Sequence, residues 1–73
     1  MMYTNIMNTN YRLVKHRRKE LGLTQEQLGQ LVNQDQSMVA HIEAGRYQIT
    51  YRYLPLYASA LQVKQQELVI FEN

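Results

Sequence analysis

The chain has 73 residues, a net charge of +2 and no cysteine. A chain of this length forms one domain and is too small for a catalytic cleft with a supporting shell of residues. The lack of cysteine excludes disulfides, thiolate catalysis and cysteine-ligated zinc. His16 and His41 are far apart in the sequence, and no nucleophile–base pair, carboxylate cluster or phosphate loop accompanies them. We therefore expect no enzymatic activity and no metal or cofactor.

Hydropathy gives no indication of a membrane protein. No apolar run approaches the ~20 residues that span a bilayer, and the first ten residues are too polar for a signal peptide. We expect a cytoplasmic protein that acts by binding and that has no membrane partner.

Basic residues are concentrated in one stretch without an intervening acid, whereas the acidic residues are scattered along the chain. This stretch contains Arg12, Lys15, Arg17, Arg18 and Lys19. Such a cluster is typical of a protein that binds a polyanion, above all nucleic acid. The alternative is a solvated helix face.

The first predicted helix runs from about Thr9 to Leu21, with Thr9 or Asn8 as its cap. Gly22 follows it and can adopt the left-handed conformation that ends a helix. Residues 1–8 are expected to form a flexible arm, and residues 9–73 to form the domain.

The second and third helices are short and closely spaced. Thr24 and Gln27 form a capping box for the second helix, and Asn33 tolerates the positive φ that ends it. Asp35 caps the third helix, and Gly45 ends it. The predicted core positions of these two helices are Leu28, Leu31, Val32, Val39 and Ile42.

A loop over residues 46–51 precedes a fourth helix, which we place from about Arg52 to Leu61 because Pro55 must lie in its first turn. Its core face contains Leu54, Tyr57, Ala58 and Leu61. A fifth short helix is predicted over about Lys64–Ile70. The expected fold is therefore all-α, a compact bundle of five helices.

The second and third helices have the proportions of a helix-turn-helix. Gly29 provides the small residue needed where these helices cross closely, and Asn33 provides the turn residue four positions later. The aliphatic residues at 28, 32, 39 and 42 fit the buried positions of this motif.

The stretch Leu21–Gly45, LGLTQEQLGQLVNQDQSMVAHIEAG, resembles the helix-turn-helix of the Cro/phage-repressor (XRE) family. The similarity continues without a gap through YASAL and LQVKQQEL and covers about residues 11–70. Three residues depart from the family pattern: Asn33 replaces the turn glycine, Gln34 a buried turn aliphatic and Asp35 the usual Ser or Thr cap. The resemblance implies a phage-repressor-type bundle that binds double-stranded DNA.

The resemblance also implies roles for individual residues. The N-terminal half of the third helix would enter the major groove, where glutamine pairs with adenine and serine or histidine can reach bases or phosphate. The candidates for reading bases are Gln36, Ser37, Ala40 and His41. The candidates for contacting the DNA backbone are Thr24, Gln25, Met38, Lys15, Arg17, Lys19, Arg46, Gln48 and Arg52. Each could instead be an ordinary surface side chain, and Met38 could instead pad the contact with the second helix.

A further pair, Arg18 and Glu43, corresponds to a family ion pair that joins the first helix to the end of the third. Its expected role is structural, because such a pair orients the recognition helix.

The expected function is a sequence-specific transcriptional regulator, a repressor by preference, that binds a palindromic operator as a homodimer. The dimer contact is expected at the apolar C-terminal residues Leu68, Val69, Ile70 and Phe71. The alternatives are a DNA-binding antitoxin with a toxin protein as partner, a controller protein of a restriction-modification system, or an interaction module that has lost DNA binding. A bacterial or phage regulator would be cytoplasmic and associated with the nucleoid when bound.

Overall fold

The computed structural model describes residues 6–72, with side chains for residues 8–70. Within this range the chain forms four α-helices, one short 3-10 helix and a two-stranded sheet. In chain order the elements are β1 (Ile6–Thr9), α1 (Tyr11–Glu20), α2 (Gln25–Val32), α3 (Gln36–Glu43), α4 (Leu54–Leu61), the 3-10 helix (Gln65–Leu68) and β2 (Val69–Glu72). The prediction of a helical bundle is correct, but the all-α class and the count of five helices are wrong, because the described part of the chain has four α-helices and a small sheet.

The predicted fifth helix, Lys64–Ile70, is a single 3-10 turn followed by a strand. Strand β2 pairs antiparallel with β1, with Thr9 opposite Val69 and Asn8 opposite Ile70. Consecutive β-branched residues favour an extended backbone, and the partner strand from the other end of the chain satisfies their backbone groups. Pairing partners so far apart in sequence leave no local sequence signal.

The same pairing contradicts part of the prediction that residues 1–8 form a flexible arm. Residues 6–8 belong to β1 and are paired, whereas residues 1–5 lie outside the described part of the chain. Because Thr9 is in this strand, neither it nor Asn8 caps α1. Asn10 does so instead, and its side chain accepts a hydrogen bond from the amide of Leu13.

The helix-turn-helix forms as its local signals predict. Thr24 and Gln27 exchange both hydrogen bonds of the capping box, and Asn33 ends α2 at φ 61°. A Cβ on Gly29 would lie 2.4 Å from the carbonyl oxygen of Gln34, so only glycine allows the turn to approach α2 this closely. Asp35 caps α3 through a hydrogen bond from the amide of Met38.

Helix α4 begins two residues later than predicted. The carbonyl of Thr50 accepts hydrogen bonds from the amides of Tyr53 and Leu54, so residues 51–53 form a turn before the helix starts. Pro55 is then the second helical residue, where its missing N–H is harmless.

One core lies between the four helices and the 3-10 helix. Its buried side chains are Val14, Leu28, Val32, Val39, Ile42, Leu54, Tyr57, Ala58, Leu61 and Leu68. Two predictions are wrong here. Leu31, expected on the core face of α2, is 55% exposed, because α2 presents only one narrow face to its neighbours. Leu68, expected at a dimer contact, is fully buried and completes the core within one chain.

Candidate nucleic-acid interface

Helix α3 has one buried face and one polar, accessible face. Val39 and Ile42 anchor it in the core. On the other side Gln36 and Ser37 are exposed, while Ala40 and His41 are half-buried. The four predicted base-reading residues therefore lie on the accessible part of the helix. Met38 is half-buried and packs against the core, which limits it to the margin of this surface.

The N-terminal end of α3 carries a compact hydrogen-bonded cap. Oδ1 of Asp35 accepts hydrogen bonds from the amide of Met38 at 3.0 Å and from the hydroxyl of Ser37 at 2.9 Å. The Met38 amide, followed by the Ser37 hydroxyl, lowers the pKa of Asp35 because both bonds favour the ionised carboxylate. The end of α3 therefore carries a negative charge at neutral pH.

The C-terminal end of α3 meets the loop that follows it. A guanidinium nitrogen of Arg46 lies 3.3 Å from Nδ1 of His41, and the ring of Tyr47 is centred 4.9 Å from the imidazole. His41, Arg46 and Tyr47 thus form one group, in which Arg46 and Tyr47 are exposed and His41 is half-buried. Such a group can donate hydrogen bonds to a phosphate or a base edge.

A buried ion pair fixes α3 to the rest of the domain. Arg18 binds Glu43 through two hydrogen bonds of 2.6 and 3.0 Å, and it also donates to the carbonyl of Leu23. Arg18 is 8% exposed and Glu43 is 6% exposed. A bidentate pair sets orientation as well as distance. It therefore holds α3 in one orientation against α1, as the family resemblance implied.

Gln25, at the start of α2, belongs to the same network. Its side-chain amide donates to Oε1 of Glu43 at 3.1 Å, so the glutamine is held beside the ion pair. Thr24, which precedes it, is exposed, but its hydroxyl already accepts the amide of Gln27. The backbone amides at this helix start remain the groups best placed to meet an anion.

The basic residues of α1 fall into two groups. Lys15 and Lys19 are exposed and line a shallow groove of about 420 Å³ beside Arg12 and Tyr11. Arg17 points elsewhere: its Nε donates to the carbonyl of Leu61 at 3.0 Å, and one of its terminal nitrogens binds Glu20 at 3.0 Å. This side chain ties α1 to the end of α4, so we do not expect it to contact the DNA backbone.

The loop after α3 contains the remaining candidates, and all three of them are exposed: Arg46, Gln48 and Arg52. Gln48 has a structural partner that the sequence did not indicate, because its Oε1 accepts a hydrogen bond from the amide of Thr9. An open cleft of about 670 Å³ separates this loop from the turn of the helix-turn-helix. Its lining includes Gln34, Met38, Arg46, Tyr47 and Tyr53.

Other kinds of site find no support in the described part of the chain. No group of three or more His, Cys, Asp or Glu residues there could hold a metal ion. None of the helices there has the length and apolarity needed to cross a membrane. The fold and the polar face of α3 together define a helix-turn-helix DNA-binding protein.

Comparison with known proteins gives the family. Residues 14–68 match the helix-turn-helix family HTH_3. The restriction-modification controller protein C.AhdI from Aeromonas hydrophila has a TM-score of 0.72 and 28% sequence identity, over 78% of this chain and 83% of that chain. The wild-type controller protein C.Esp1396I has a TM-score of 0.66 and 31% identity, over 74% of this chain and 69% of that chain. No protein of curated function matches significantly.

The P22 c2 repressor, solved in complex with a synthetic operator, has a TM-score of 0.75 and 23% identity, over 77% of this chain and 85% of that chain. At this identity the likeness shows the fold. The chain belongs to the HTH_3 family of Cro/C1-type (XRE) helix-turn-helix proteins, which confirms the resemblance found in its sequence. It is a DNA-binding transcriptional regulator, a kind of protein that is normally not an enzyme.

Proposed function

We propose that this regulator binds a palindromic operator as a homodimer and reads it with the exposed face of α3. The observation that carries the proposal is a polar helix face held rigidly by the buried Arg18–Glu43 pair. A recognition helix needs this rigidity, because base contacts must be positioned within about 0.5 Å. Four residues are assigned to base edges: Gln36, Ser37, Ala40 and His41.

Contacts to the DNA backbone are assigned to residues around that face. They are Thr24, Gln25, Lys15, Lys19, Arg46, Gln48 and Arg52. Met38 is assigned a contact only at the margin. These groups fix register and contribute affinity without reading sequence.

The dimer contact is assigned to strand β2, with Leu68 removed from the predicted set because it is buried. Ile70 is 44% exposed and lies on this strand. Val69 is half-buried, and the side chain of Phe71 lies outside the described residues. A two-fold dimer would place its recognition helices about 34 Å apart, in successive major grooves.

The experiment is a selection from a random duplex library, followed by sedimentation with and without the selected duplex. The proposal predicts an inverted repeat with half-sites about one helical turn apart and a dimer on that DNA. Recovery of no duplex would contradict it and favour an interaction module. A single half-site bound by a monomer would contradict the homodimer.

Two of the similar proteins are restriction-modification controller proteins, which supports a controller role as the second candidate. A repressor, a controller protein and an antitoxin would all contact DNA in the way described above. They would differ in the genetic circuit to which they belong. Neighbouring genes discriminate between them: restriction and methylation genes predict a controller, and a toxin gene predicts an antitoxin.

A further inference from the structure

We propose that strand β1 holds the loop after α3 in the conformation that contacts DNA, which makes Thr9 a positioning residue of the interface. The inference rests on the proposed function, since it concerns how that interface is assembled. Here the term loop clamp denotes the contacts between Thr9 and residues Gln48 and Ile49.

The loop clamp consists of two hydrogen bonds in opposite directions. The backbone amide of Thr9 donates to Oε1 of Gln48, and the hydroxyl of Thr9 accepts from the backbone amide of Ile49 at 2.7 Å. Thr9 is only 7% exposed, so water competes weakly for these bonds. One residue of β1 therefore binds both the backbone and a side chain of the loop.

The loop is otherwise attached near its ends. At its start, the amide of Arg46 donates to the carbonyl of His41, and at its end, the carbonyl of Thr50 accepts from the amides that begin α4. The side chain of Ile49 packs against the core. Within the described residues, the hydrogen bonds that we find for the middle of the loop are those of the loop clamp.

The clamp itself is anchored to the core. Thr9 is paired with Val69 in the sheet, and the next residue, Asn10, donates its amide to the carbonyl of Leu68 at 2.8 Å. Leu68 is fully buried. The position of Thr9 is therefore set by folding, before any DNA is present, so the loop needs less ordering on binding.

The clamp also fixes which atoms of Gln48 face outward. Because Oε1 accepts the Thr9 amide, the side-chain NH₂ is the part of Gln48 left to meet another group. An NH₂ group donates hydrogen bonds, which is the chemistry that a phosphate oxygen requires. Arg46, two residues earlier, contributes a cation on the same loop. The clamp thus presents donors toward the DNA backbone.

The test compares two substitutions in the full chain. Thr9→Val keeps the shape of the side chain but removes the hydroxyl acceptor, whereas Thr9→Ser keeps the acceptor and is the matched control. Three quantities are measured for each: the hydrogen-exchange rate of the Ile49 amide, the free energy of unfolding in urea, and the affinity for the selected and a random duplex.

We expect Thr9→Val to exchange the Ile49 amide at least about tenfold faster and to bind both duplexes about fivefold more weakly, as expected for one net hydrogen bond. Base preference should not change, because the loop meets phosphate. Thr9→Ser should behave as the unmodified protein. If Thr9→Val does not fold, Thr9→Ala is measured in its place at low temperature.

Three results overturn the inference. One is an unchanged Ile49 exchange rate in the valine variant, and another is faster exchange with unchanged DNA affinity. The third is an affinity loss that the fraction of unfolded protein fully explains. Failure of the proposed function is distinguishable, because then the unmodified protein itself binds no duplex.

Discussion

The phenol of Tyr57 is buried and donates a hydrogen bond to Oε1 of Gln34, 2.5 Å away. Gln34 occupies the turn position where family members carry a buried aliphatic residue. The bond explains how a polar side chain is accepted there, since a buried hydroxyl needs a partner. Burial, followed by the charge of Glu43, raises the pKa of Tyr57, so the phenol stays protonated and remains a donor.

Tyr57→Phe should therefore lower the free energy of unfolding by about 1 kcal/mol, the net value of one such hydrogen bond. Urea denaturation measures this. In a Gln34→Leu variant, Tyr57→Phe should lower the free energy of unfolding by less, because the acceptor Oε1 of Gln34 is already absent. Equal costs in both backgrounds would show that the bond does not couple the turn to α4.

Asp35→Ser tests the charge at the end of the recognition helix. The serine hydroxyl can still cap α3, so we expect little change in unfolding free energy. In the proposed complex this negative charge would lie near phosphate, so its removal should raise affinity about two- to fivefold for operator and random DNA alike. Titration of both duplexes measures this. Loss of operator binding with unchanged random binding would show instead that Asp35 reads a base.

Asp35→Asn tests the same carboxylate through acid stability. The pKa of Asp35 is lower in the folded chain than its ordinary value of 3.8, because the Met38 amide and the Ser37 hydroxyl bind the ionised form. Its stabilising effect is therefore complete above pH 3.8 and is lost as the pH falls through the folded value. We expect the stability advantage of the unmodified protein over the asparagine variant to shrink across that acid range. A constant difference would contradict the assignment.

Lys15 and Arg17 are near neighbours on α1. We propose that Lys15 contacts DNA, whereas Arg17 binds the end of α4, so their alanine variants should separate binding from folding. Lys15→Ala should reduce the salt slope of DNA binding by about 0.9 per protomer with little change in stability. Arg17→Ala should leave the slope unchanged and cost about 1 kcal/mol of unfolding free energy, because it loses the bond to Leu61. A reduced salt slope for Arg17→Ala, with unchanged unfolding free energy, would show that Arg17 contacts DNA.

The local parts of this fold could be predicted from sequence. The Thr24–Gln27 capping box, the left-handed Asn33 and the Asp35 cap depend on residues within a few positions of one another, and the structure contains all three. Tertiary contacts carry no such signal. The β1–β2 pairing and the bond from Thr9 to the distant Gln48 join residues far apart in the sequence.

The sequence also did not indicate in which direction individual side chains point. Arg17 and Lys15 belong to one basic stretch, yet the end of α4 binds only Arg17. At the candidate site, the accessibility of the α3 face followed from helical periodicity, because Val39 and Ile42 determine which side is buried. Which exposed residue reads which base depends on the DNA, and it stays a prediction.

The central claim is that α3 reads bases, and Gln36→Ala tests it most directly. Gln66, an exposed glutamine of the 3-10 helix, gives the matched control Gln66→Ala. Binding to the selected operator and to every single-base variant of one half-site is measured for both proteins. The account predicts that Gln36→Ala costs about 1–3 kcal/mol on the operator and loses discrimination at one base pair per half-site, with random DNA bound as before. Unchanged discrimination at every position, as in the Gln66 control, would contradict it.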